Sequence, residues 1–123
     1  MLEHTLDPAQ SILYLRPKSA LRKEDFEALA RDVDPYLEQH GDLAGLIVQV
    51  ESFPGWDSFG ALAAHIRFVR DHHRRVRKVA IVTDAKIGDV AEKLASHFVA
   101  ATIRHFAAGE LDAARRWIAR PGD

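Results

Sequence analysis

The sequence predicts an α/β fold in which four helices flank a mixed, mostly parallel five-stranded sheet. Two near-continuous apolar runs, Ala44 to Val50 and Lys78 to Thr83, have strand length and the character of central strands covered on both faces. Around them, apolar residues recur at helical spacing. The resulting order, β-β-α-β-α-β-α-β-α, alternates strands with helices after an opening hairpin, as expected for parallel strands joined by right-handed crossovers.

Leu2 to Thr5 and Ser11 to Leu15 are short strand candidates around Asp7-Pro8, where proline presets the backbone angle of a turn. The next segment carries Phe26, Leu29, Val33 and Leu37 at helical spacing, with Glu24 and Asp25 where negative charge favours a helix N-terminus. This helix should end near Gly41. Pro35 inside it removes one backbone bond, which predicts a kink or restart after Asp34. A second helix, from about Asp57 to Arg74, should present Phe59, Leu62, Ile66, Val69 and His73 on one buried face. A further helix from about Gly88 to Ala100 should bury Val90, Leu94 and Phe98. Thr102 to Phe106, interrupted by polar residues, reads as an edge strand. The last helix, about Gly109 to Ala119, presents Leu111, Ala114, Trp117 and Ile118. No linker, repeat or low-complexity tract divides the chain, so one domain over residues 1–123 is expected.

Composition narrows the function classes. A domain of 123 residues buries roughly two-thirds of its unfolded surface and needs no staples. With no cysteine, disulfides, thiolate metal sites and cysteine nucleophiles are excluded. The stretch Met1 to Pro8 lacks the basic and apolar regions of a secretory signal, and no segment approaches the ~20 apolar residues of a membrane span. A cytoplasmic protein without a transmembrane segment is the expectation. A net charge of -1 and a pI near 6.7 differ from the basic balance of a dedicated nucleic-acid binder, so no nucleic-acid partner is expected. Locally the charge is uneven, because Arg67, Arg70, Arg74, Arg75, Arg77 and Lys78 are opposed only by Asp71. Cations at a helix C-terminus complement its dipole, and the same run suits acidic lipid headgroups, nucleic acid or an acidic partner. The 7 histidines are scattered, and His72 and His73 point in different helical directions, so neither a metal site nor a cofactor is expected.

The stretch from Leu46 to Gly60 runs an apolar strand through a Pro-Gly turn into a helix start, and it locates the candidate site. Phe53 and Trp56 flank Pro54-Gly55, a dipeptide suited to positions i+1 and i+2 of a type II turn. Two such aromatics fit either the wall of an apolar pocket at the carboxyl ends of the strands or the closing of the core. Ser58 lies near a helix N-terminus, where it serves as an N-cap or, with Asp57, favours an anion such as a phosphoryl group. The neighbouring strand ends at Asp84-Ala85-Lys86. If the two strands are adjacent, Asp84 and Lys86 border the same crevice as Asp57; otherwise Asp84 caps the next helix and Lys86 is solvated. A hydrolase elbow requires glycine two residues on either side of the serine, and Trp56 fills the first of those positions. His65 follows Ser58 by about two helical turns, ~10 Å, too far for direct proton transfer.

The order of elements, with Glu24-Asp25-Phe26 opening the first helix, Lys78 to Asp84 as a strand, and Phe106 followed by Ala113 to Ile118, resembles the SpoIIAA-like family of bacterial proteins, related to STAS and Sec14-like domains. The resemblance implies a β-α superhelix with a mixed sheet and no established enzyme activity. It also implies that Asp57 and Ser58 match the first two positions of the Asp-Ser-Ser or Asp-Ser-Thr segment that carries the phosphoacceptor of anti-sigma-factor antagonists. Phe59 stands where the second hydroxyl residue is usual, which leaves Ser58 as the hydroxyl able to take phosphate.

The expected function is therefore non-enzymatic: a STAS-type regulatory or binding domain that meets a protein partner or small ligand through Phe53, Trp56, Asp57, Ser58, Asp84 and Lys86, with a homodimer allowed by its exposed edges. The alternative is a carrier of a lipid-like or apolar small molecule. A third reading is a small enzyme whose residues converge only in three dimensions.

Overall fold

Strand side chains alternate between the two faces of a sheet, and that period organises this molecule. The structure, a computed structural model, describes residues 1–86 and 99–122. Strands β1 (Leu2–Asp7), β2 (Ile12–Pro17), β3 (Leu43–Gln49), β4 (Val76–Val82) and β5 (Thr102–Phe106) lie in that order across one five-stranded sheet. β1 pairs antiparallel with β2, and every later neighbour is parallel. β5 lies at the edge, as its polar interruptions predict. Among the described residues there are three α-helices, α1 (Lys23–His40), α2 (Phe59–His72) and α3 (Leu111–Ala119). The helix expected from Gly88 to Ala100 falls on 88–98, outside the described residues, and Val99 and Ala100 are not helical.

Local chemistry explains the boundaries. In the opening hairpin the Asp7 carboxylate accepts the Ala9 and Gln10 N–H groups at 3.1 and 3.2 Å. At the start of α1 the Asp25 carboxylate accepts from the Arg22 backbone N–H at 2.9 Å and its guanidinium at 3.0 Å. Burial alone would raise the Asp25 pKa, but these donors hold it below the usual aspartate value. The α1 face of Phe26, Leu29, Val33 and Leu37 is buried as its spacing predicts. Gly41 ends the helix with φ 84° and donates its N–H to the Leu37 carbonyl at 3.0 Å.

Two expectations are corrected. Pro35 does not restart α1, which runs unbroken past it. The proline sits on the exposed side, so the carbonyl it leaves without a helical donor lies toward water, while Val33 and Leu37 anchor both flanks. The buried face of α2 also differs: Ala61 and Ala64 are buried, with His65 and Phe68 half-buried beside them, whereas Phe59 and Ile66 are exposed. The small alanines allow α2 to approach closely, and the Phe26 ring on α1 takes His65 and Phe68 as ring neighbours at 4.9 and 6.3 Å.

The helices divide between the two sheet faces. Ile12, Tyr14, Ile47, Ala80, Val82 and Phe106 pack with Ala114, Trp117 and Ile118 of α3. Leu13 and Leu15 turn the other way and pack with Phe26, Leu29 and Val33 of α1 and Ala64 of α2. On the α3 side, buried Lys78 donates from Nζ to the Trp117 and Arg120 carbonyls at 2.7 and 2.8 Å, placing a cation at the C-terminal end of that helix. Gly45 lies on the same side, and a Cβ there would stand 2.5 Å from Ile118 Cγ2. Ile118 is buried and β-branched, so it has little room to yield. Gly45→Ala is expected to destabilise the fold by about 1–3 kcal/mol, the usual range for overpacking, as read from urea denaturation midpoints.

Candidate functional site

Burial alternates along the central strands. On β3, Ile47 is fully buried while Leu46 and Val48 are only half-buried; on β4, Ala80 and Val82 are buried while Val79 and Ile81 are half-buried. The sealed residues face α3. The half-buried ones wall a cavity of about 470 Å³ on the side of α1 and α2. Phe26 and Leu29 of α1, with Phe68 and Val69 of α2, form further wall, and Ile103 of β5 continues it across the sheet. The apolar runs are thus covered on both faces, but among the described residues the cover on one face leaves a ligand-sized space.

Each polar side chain of the lining has at least one atom bonded within the protein. The indole N–H of Trp56 donates to His65 Nδ1 at 3.0 Å. Because indole only donates, the neutral imidazole carries its proton on Nε2. The His65 ring stacks on Phe26, with an interplanar angle of 19°, and burial lowers its pKa below the ordinary value of 6.5. His73 Nδ1 accepts the Ala100 N–H at 2.9 Å, and the His72 ring stacks on Phe68 at 3.9 Å while facing Asp34 and the Phe68 carbonyl. Thr83 accepts the Ala85 N–H at its hydroxyl oxygen and the His105 Nε2–H at its carbonyl. Among the described residues, no carboxylate lines the cavity.

The residues singled out in the sequence occupy distinct places. Gly55 takes φ 79°, the positive value that position i+2 of a type II turn requires. Phe53 lines the cavity and remains 40% exposed; Trp56 lies edge-on to it at 4.9 Å, is 38% exposed, and acts through His65. Neither ring is buried in the core. Leu21 donates its N–H to the Gly55 carbonyl at 2.8 Å and accepts the Asp57 N–H at 2.9 Å, which fastens this loop beside the start of α1. Ser58 is the N-cap of α2, accepting the Ala61 N–H at 3.1 Å.

Asp84 and Lys86 leave the same end of the sheet, since β3 and β4 are adjacent and parallel. Asp84 is turned to the Ala108 N–H, which it accepts at 2.9 Å, and Lys86 is exposed. Among the described residues, no hydrogen bond or ion pair joins Asp84 or Lys86 to Asp57 or Ser58. From sequence, His65 is considered only as a base for Ser58, at too great a distance, and not as a residue of the site. Its signal is the helical series His65, Phe68, His72, whose rings all lie on the side of α2 that meets α1 and the cavity.

These features define a class: an α/β domain with a mixed sheet, helices on both faces and an apolar cavity on one of them. The SpoIIAA-like family model matches residues 12–119, and the chain belongs to that family. A solved structure of an uncharacterized protein from Shewanella loihica, described as having a SpoIIAA-like fold, is similar over 96% of this chain and 92% of its own, with 16% identity and a TM-score of 0.76. No functionally curated protein matches the sequence. No helix among the described residues is long and apolar enough to cross a membrane.

The Trp56–His65 contact makes a titration prediction. Protonating Nδ1 removes its capacity to accept, so the indole bond favours the neutral ring. Between the depressed folded pKa and 6.5, the unfolded chain binds a proton at His65 that the folded chain does not. Stability from this residue is therefore full above 6.5 and is lost as pH falls through that value toward the folded pKa. His65→Phe, which retains an aromatic ring beside Phe26, should flatten this part of the pH profile in urea titrations. Trp56→Phe should move the imidazole titration upward in NMR spectra.

Proposed function

We propose that this protein is a non-enzymatic binding domain that holds an apolar small molecule in the cavity between the sheet and α1 and α2. The hydrocarbon character of the cavity wall carries the reading. A space of about 470 Å³ falls within the roughly 300–1,000 Å³ typical of small-molecule sites, and Leu, Val, Ile and Phe side chains supply most of its lining. His65, His73 and Thr83 each have one acceptor atom already held by an indole or backbone N–H. Such a wall rewards desolvation of an apolar ligand and gives an ionic one little compensation. Phe53 connects the wall to the surface loop, and Trp56, Asp57 and Ser58 frame the outer side of that loop. In this reading Asp84 and Lys86 belong to the rim, on either side of the lining residue Ala85.

The test uses N-phenyl-1-naphthylamine, an uncharged fluorophore that brightens in apolar surroundings. Wild-type protein should bind it saturably and with one-to-one stoichiometry. Val79→Phe places extra bulk in the cavity wall and should weaken binding by about tenfold or more while far-UV dichroism stays unchanged. Binding that is non-saturable, or indifferent to this substitution in a folded variant, would overturn the proposal.

A further inference from the structure

A phenylalanine that is 91% exposed in the first turn of a helix contributes almost nothing to the fold. Phe59 is such a residue, and it is not isolated. Ile66, 61% exposed, and exposed Ala63 lie on the same outward face of α2. At 3.6 residues per turn, Phe59, Ala63, Ile66 and Arg70 fall within roughly 60° of arc, and Arg67 stands just beside them. The opposite arc holds Ala61, Ala64, His65 and Phe68, which face the protein. Arg74, in the 3₁₀ turn after α2 (His73–Arg75), is also exposed and continues the basic end of the stripe. The outward face therefore runs from an apolar ridge to a cluster of guanidinium groups.

Asp71 is the acidic residue within this cluster, and its carboxylate already accepts Arg70 Nε–H at 2.9 Å. Arg75 is directed elsewhere, to Asp42 and the Leu37 carbonyl, and Lys78 is buried against α3. Arg67 and Arg74 form no ion pair among the described residues. The occupant of the face must therefore supply both negative charge and an apolar phase. A second copy of this chain, meeting the stripe with its own stripe, brings arginines and no unspent carboxylate. An anionic lipid bilayer brings both: phosphate groups at the headgroup level and acyl chains beneath them.

We propose that the outward face of α2 is a docking surface for an anionic phospholipid bilayer, with Phe59 and Ile66 entering the interface and Arg67, Arg70 and Arg74 pairing with lipid phosphates. The geometry is that of a helix lying in the interfacial plane. Apolar side chains stand out as a convex ridge, with small Gly60 and Ala63 between the large ones, and long basic side chains extend to the headgroups. This surface is separate from the cavity wall, which is formed by the inner side of α2.

Cosedimentation with large unilamellar vesicles tests the proposal. The full chain should bind vesicles of phosphatidylcholine mixed equally with phosphatidylglycerol, and binding should fall steeply with added sodium chloride. Pure phosphatidylcholine should retain little protein. The double variant Phe59→Ser with Ile66→Ser should reduce partitioning by about tenfold or more, because both changes remove exposed apolar groups. The triple variant Arg67→Gln, Arg70→Gln, Arg74→Gln should reduce it comparably and abolish the salt dependence. Both variants change exposed side chains, so helical dichroism and N-phenyl-1-naphthylamine binding should be unaltered, which separates a docking defect from misfolding. Equal binding to both lipid mixtures, or variants that bind like wild type, would overturn the proposal. So would binding to duplex DNA but not to vesicles, or a dimer in light scattering that Phe59→Ser dissolves while vesicle binding is absent.

Discussion

The register between β3 and β4 is the constraint on which the rest depends. Leu46 stands beside Val79, Ile47 beside Ala80 and Val48 beside Ile81. A slip of one residue in either strand would exchange its two faces, sending Ile47 or Ala80 to the cavity and their half-buried neighbours into the α3 interface. Two contacts oppose that slip. Gly45 is the small residue that admits Ile118, and Lys78, opposite it in the ladder, reaches the last carbonyls of α3. Both belong to the α3 side. The packing of one sheet face thereby determines which side chains wall the cavity on the other.

The connection from β3 to α2 depends on a second, smaller device. Leu21, itself buried, bonds to the loop on both sides of Trp56, through the Gly55 carbonyl and the Asp57 N–H. This places the indole where its N–H meets His65, and the same imidazole stacks on Phe26 one turn into α1. The starts of α1 and α2 are consequently joined through one backbone bridge and one ring stack. A hydrogen bond between two partly exposed rings contributes little alone, about 1 kcal/mol, yet it orients a ring that lines the cavity.

How much of this was legible in the sequence varies with the range of the interaction. The five strands, the hairpin at Asp7-Pro8 and the buried face of α1 follow from local patterning, because one periodicity dominates each segment. On α2 two periodicities compete. Phe59, Leu62, Ile66 and Val69 are the more apolar series, but only Leu62 and Val69 of it are half-buried while Phe59 and Ile66 are exposed, and Ala61, Ala64, His65 and Phe68 face inward, since helix approach to α1 rewards small side chains and rings that stack. The Leu46 to Gly60 stretch was readable as strand, turn and helix start, and Gly55 and Ser58 take the turn and cap geometry those residue types favour. The cavity was not readable. A continuous apolar run states that both faces of a strand are covered and carries no information on how closely. The sequence offers His65 only as a distant base for Ser58, and its place in the cavity wall is hidden for a related reason: its partners, Trp56 and Phe26, come from different elements, and no spacing in the chain brings the three together.

The helix start at Phe59 bears on what a SpoIIAA-like domain of this kind can do. A hydroxyl residue in the first turn of a helix stands near unsatisfied N–H groups, where an added phosphate is electrostatically favoured. In this chain Ser58 already spends its side-chain oxygen on the Ala61 N–H, and the next position carries a ring that is almost wholly in water. A phenylalanine there cannot accept phosphate, and its exposure means it was not placed there to fill the core. The same backbone position that could present an anion to a partner here presents apolar surface instead. With Phe53 directed to the cavity and Phe59 directed outward, seven residues of chain bring the inner wall and the outer ridge to one end of α2.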